Sequence, residues 1–96
     1  MHTSHAQVAT TNPARLVKRL CNHWRHKFPV QVDEQGGEIE LPLGQCSLQV
    51  SPTGLQARLQ SPDPEQLQRM QTVVADHLQR MAGDESLGIA WLSGPA

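Results

Sequence analysis

The chain has no tyrosine, a single phenylalanine and two tryptophans among its 96 residues. Its core must therefore be built from Leu, Val, Ile and Met, and an all-aromatic binding cage is disfavoured. It has two cysteines, Cys21 and Cys46, too few for a disulfide scaffold. Both lie in strongly patterned segments and are expected to be reduced and partly buried. No run approaches the roughly 20 apolar residues that cross a bilayer, and the N-terminus lacks the apolar stretch of a signal peptide. These absences point to a cytoplasmic chain with no membrane contact. An excess of basic charge is missing too: eight Lys and Arg stand against nine Asp and Glu, which argues against nucleic acid as a partner. Also absent are a phosphate-binding glycine loop, a Cys-x-x-Cys pair, a His-Glu-x-x-His helix and a Gly-x-Ser-x-Gly elbow.

What is present is clear alternation between two periods. From Asn12 to Phe28, Leu16, Leu20, Trp24 and Phe28 recur every fourth residue, with Val17 and Cys21 beside them. This predicts a first helix, capped by Asn12, entered through Pro13 and stopped by Pro29. From residue 30 to residue 61 the period falls to two, with Val30, Val32, Ile39, Leu41, Leu43, Cys46, Leu48, Val50, Leu55, Ala57 and Leu59 on one face. Short turns at Gln35-Gly36-Gly37, Leu43-Gly44 and Pro52-Thr53-Gly54 make this an antiparallel meander of four strands. Asp63 and Pro64 open a second helix whose buried face carries Leu67, Met70, Val74, His77, Leu78 and Met81, and Gly83 closes it.

At the two ends the pattern is thinner. Leu87, Ile89 and Trp91 alternate as a short last strand would, and Ala6 and Val8 fit an added edge strand at the start. The expected fold is α+β, one domain over residues 1–96 with residues 1–5 and 93–96 frayed. It is a two-layer sandwich: an antiparallel sheet of four to six strands with both helices on one face, in the order (β)αββββαβ. The small core and the free sheet edges suggest a homodimer.

Chemistry-bearing residues concentrate in Cys21-Asn22-His23-Trp24-Arg25-His26-Lys27. His23 and His26 share one helix face, so Cys21, His23, His26 and His77 form a candidate metal set for iron or zinc, although one helix alone supplies too few ligands. His77 stands within an apolar stripe, so it should be largely buried and paired with Cys21, His23, a strand or a backbone carbonyl. Lys27 and Arg80 would add positive charge, which makes His23, Lys27, His77 and Arg80 the candidate site for a small anionic ligand or a metal chelate. An alternative is a small dimeric enzyme in which His77 serves as base to Cys21 or to a bound water. A third reading is a structural protein-interaction domain.

Ala6-Gln7-Val8-Ala9-Thr10, Leu20-Cys21-Asn22-His23-Trp24-Arg25-His26-Lys27, Ala75-Asp76-His77-Leu78-Gln79-Arg80 and Glu85-Ser86-Leu87 with Trp91 together resemble the bacterial family called domain of unknown function 2218. The resemblance spans nearly the whole chain. It implies a compact prokaryotic protein, some of whose relatives accompany siderophore and iron-uptake functions. Cys21, His23, Lys27, His77, Arg80 and Trp91 occupy the family's recognisable positions. The reading this favours is an accessory or binding module rather than an enzyme.

Overall fold

The computed structural model describes residues 1–94. Among these residues eight elements follow one another: β1 (His2–Ala9), α1 (Pro13–Trp24), β2 (Val30–Val32), β3 (Gly36–Leu41), β4 (Gly44–Ser51), β5 (Gly54–Ser61), α2 (Pro64–Ala82) and β6 (Leu92–Ser93). The strands form one antiparallel sheet in the order β2-β3-β4-β5-β1-β6. Both helices lie on its apolar face, α1 over β2, β3 and β4 and α2 over β5, β1 and β4, so the expected two-layer α+β sandwich is the fold. Among the described residues no helix is long and apolar enough to cross a membrane.

Strand parity explains the layering. Ala6 and Val8, Cys46 and Leu48, Leu55, Ala57 and Leu59, and Ile39 are all buried toward the helices. From the helices they meet Leu16, Val17, Leu20, Cys21 and Trp24, and Leu67, Met70, Val74 and Leu78. Each helix begins as its cap chemistry dictates. Asn12 accepts from the Arg15 amide at 3.3 Å, and Asp63 accepts from the Glu65 amide at 2.9 Å, which satisfies donors that would otherwise be orphaned.

Four expectations need correction. The first strand is not an edge: β1 lies between β5 and β6 and pairs with β5 along its whole length, His2 with Ser61 through Ala9 with Gly54. Residues 2–5 are therefore ladder rather than fray, and Ser93 is paired with Ser4, while residues 95–96 lie outside the described residues. Leu87, Ile89 and Trp91 pack on the core as their alternation requires, but without a ladder, which forms only at Leu92–Ser93. The Gln79 side chain holds that segment instead, donating to the Glu85 carbonyl at 2.7 Å and accepting from the Leu87 amide at 2.9 Å. Finally, α1 ends at Trp24 rather than at Phe28: the Arg25 amide bonds the Cys21 carbonyl at 2.9 Å, after which the Lys27 amide tightens onto the Trp24 carbonyl three residues back, at 3.0 Å.

Two details of packing yield tests. Gly37 of β3 lets α1 settle onto the sheet, since a Cβ built there would lie 2.6 Å from Cys21 Sγ. Gly37→Ala should cost about 1–3 kcal/mol by overpacking. Chemical denaturation of the Gly37→Ala, Cys21→Ala double variant should recover part of that loss, and strict additivity would refute the contact. Glu85 clasps the turn before α1, accepting from Thr10 Oγ1 and, at 3.1 Å, from the Thr11 amide. These two hydrogen bonds hold its carboxyl below the ordinary value of 4.5. A depressed folded-state pKa stabilises above the unfolded value and is lost as pH falls through the folded one. Thermal melts of the wild type should thus fall more steeply below about pH 4.5 than those of Glu85→Gln, and parallel curves would refute the clasp.

Candidate functional site

Where α1 ends, the chain coils tightly enough to keep His23, Trp24, Lys27 and Phe28 together. Trp24 is buried, and Phe28 meets it edge-on with ring centroids 6.3 Å apart. Facing them, α2 presents Val73 and His77, and the β3–β4 turn supplies Leu41, Pro42 and Leu43. That turn is pinned from beneath, because the buried Ser61 hydroxyl donates to the Leu43 carbonyl at 2.7 Å. Between these elements lies a groove of about 310 Å³ with a largely apolar wall.

His77 sits across the seam between the helices. Its ring centroid is 4.9 Å from that of Trp24 and 5.6 Å from that of His23. Its Nδ1 lies 2.7 Å from the Val73 carbonyl. A carbonyl can only accept, so Nδ1 carries the hydrogen, and Nε2 is the nitrogen left for a ligand. His77 is half-buried, and its polar partner comes from its own helix, one turn back, rather than from α1 or a strand. The apolar phase of the residue was right. Its partner is a backbone carbonyl, as expected, but one on α2 itself, and the ring is half-buried rather than largely buried, because a histidine at the edge of a helix stripe can reach its own i−4 carbonyl without leaving the groove.

The other candidate residues scatter. Lys27 is exposed on the groove wall, whereas Arg80 is exposed and is not among the side chains that line it. His26 is exposed beyond the end of α1. Cys21 is buried and turns toward Gly37 of the sheet. Among the described residues no three His, Cys, Asp or Glu side chains gather as a metal-holding group, so Cys21, His23, His26 and His77 do not converge. Only His23 and His77 of that set meet.

Sequence reasoning missed the apolar walls, namely Trp24, Phe28, Leu41, Pro42, Leu43 and Val73. Trp24 and Phe28 read as core, and the Pro42-Leu43-Gly44 turn read as a connection, so nothing in the periodicity set them apart. It also missed a hollow of similar size on the open sheet face, lined by Thr3, Glu38, Gln45, Ser47, Arg58 and Gln60. There most of the polar side chains are committed: Gln60 donates to Gln45 at 3.1 Å, Gln45 and Ser47 donate to Glu38 at 3.2 and 2.8 Å, and Arg58 donates to Gln56 at 3.3 Å. The groove between the helices instead combines an apolar wall with an uncommitted nitrogen, which is the usual composition of a ligand site.

Burial also decides the thiols. It pushes Cys21 up to about 11, with a smaller opposing effect from the Arg25 charge. Cys46 is driven up further still, by burial first and then by Cys21 and Glu38. Both are protonated at neutral pH and neither faces the groove, so the pairing of Cys21 with His77 as nucleophile and base is not formed. Native protein treated with a chromogenic disulfide reagent at pH 8 should release almost no thiolate until denaturant is added. Rapid labelling of one cysteine in the folded state would show that Cys21 is reactive after all.

Comparison with other proteins gives this architecture its place. A search of curated proteins returns no match. The NMR structure of PA4090 from Pseudomonas aeruginosa is 48% identical, with 96% of each chain covered and a TM-score of 0.81. The family model described as uncharacterized protein conserved in bacteria (DUF2218) matches residues 5–92, nearly the whole of the α+β sandwich and all of the groove, and the chain belongs to that family.

Proposed function

We propose that this protein is a non-catalytic binding module whose groove takes a small anionic ligand with a flat, apolar body. The observation that carries the reading is the pairing of chemistries in one hollow. Trp24, Phe28, Leu41, Pro42, Leu43 and Val73 supply an apolar surface, while His23, Lys27 and His77 supply the polar side chains, of which Lys27 and His77 are assigned the ligand's two polar groups. An ammonium favours a carboxylate, and an unprotonated Nε2 accepts a hydrogen bond from a hydroxyl. At about 310 Å³ the groove is at the small end of ligand sites, suited to a single substituted ring rather than an extended chain.

A hydroxy-substituted aryl carboxylate meets all three requirements. Aryl-hydroxyl and carboxylate groups also bind iron, and through that shared chemistry a role in iron or siderophore handling belongs to this proposal. Lys27 is exposed, so its charge orients the ligand more than it adds affinity.

The test is an amide NMR titration with 2-hydroxybenzoate. Saturable shifts should cluster at residues 23–28, 41–43 and 73–77, with a dissociation constant between roughly 10 μM and 1 mM for so small a ligand. His77→Ala should weaken binding at least about tenfold while the melt stays within a few degrees, and Lys27→Gln should weaken it about three- to fivefold. Arg80→Gln should leave it unchanged. Shifts confined to the sheet face, or no saturation at 10 mM ligand (roughly the weakest binding of interest), would overturn the reading.

A further inference from the structure

The tautomer of His77 has a consequence at the mouth of the groove. In metal sites a ligating histidine commonly donates its other ring N–H to a backbone carbonyl, which fixes the ring and directs the bare nitrogen outward. His77 already has that arrangement: Nδ1 is committed to the Val73 carbonyl at 2.7 Å, on a continuous stretch of α2. Trp24 lies against the ring, 4.9 Å away between centroids, and limits its rotation.

The second imidazole comes from the facing helix. The His23 and His77 centroids are 5.6 Å apart and their planes are tilted by 46°. Two imidazoles bound to one ion through nitrogens at about 2.0–2.1 Å, with a wide N–metal–N angle, place their centroids about 5–6 Å apart. The centroid separation already present lies within that range. His26 cannot substitute through the one-helix arrangement, because α1 ends at Trp24 and His26 lies in the turn beyond it.

We propose that His23 and His77 form a two-imidazole seat for a borderline divalent ion such as zinc, copper or nickel. Neutral nitrogen donors select these ions over magnesium or calcium. No third His, Cys, Asp or Glu joins the pair among the described residues. The remaining coordination positions belong to water or to oxygen donors of a molecule held in the groove. The seat rests on the groove reading for its location, but its ligands and its test are its own.

Zinc chloride alone, titrated into the wild-type chain, is the probe. Long-range proton–nitrogen spectra should show the imidazoles of His23 and His77 shifting together with one equivalent of zinc, through Nε2 in His77. The dissociation constant should be in the micromolar range. His23→Gln, which alters an exposed side chain, and His77→Gln should each weaken zinc at least tenfold. His26→Gln, His2→Gln and His5→Gln should change it less than twofold. Zinc binding through His23 and His26 with His77 unmoved, or no saturation below millimolar zinc, overturns the seat. Repeating the titration with 2-hydroxybenzoate separates the two proposals. Zinc binding without the aryl acid leaves the seat and removes the organic-ligand reading; the aryl acid without zinc does the reverse.

Discussion

The close approach of α1 to the sheet sets the position of everything functional in this molecule. Cys21 descends onto the bare backbone of Gly37, and that contact fixes how far the end of α1 can advance over β3. Three residues later Trp24 reaches the seam with α2, and His23 beside it comes level with His77. A bulkier residue at either place would lift the helix and widen the groove from below. The two thiols therefore act as small apolar spacers in a packed interior, where lost volume and added volume are both costly.

Much of the fold could be read from the chain because its apolar positions keep one period at a time. The switch from every fourth residue to every second marks the boundary between α1 and the meander, and Pro13 and Pro64 mark the helix starts. The place of β1 could not be read. His2–Ala9 offers Ala6 and Val8 as its apolar side chains, too little to reveal a strand buried between two neighbours. What puts it there is the geometry of the α2 connection, which leaves the far edge of β5 open for the N-terminus to fill.

The site was legible in its polar residues and opaque in its walls. His23, Lys27 and His77 stand out in any reading because their side chains carry chemistry, and the structure brings them to one groove. His26 shares a face with His23 only in a continuous helix and falls beyond the end of α1, while Arg80, a candidate for its charge, is not among the side chains that line the groove. Spacing along a helix fixes an angle. It does not fix where the neighbouring element ends, and here the early stop of α1 at Trp24 decides which histidine has a partner.

The insertion of β1 between β5 and β6 bears on how the chain is made and handled. β1 must wait, unpaired, until residues 54–61 have been synthesised before its main ladder can close, so a strand made before the whole meander is secured only after it. Deleting β1 would consequently not shave an outer margin, as it would for an edge strand. It would split the sheet along an inner line, expose the long flank of β5 and leave β6 with nothing to pair against. In this topology β1 serves as a keystone, and His2–Ala9 has as little freedom to vary in length as any turn within the sheet.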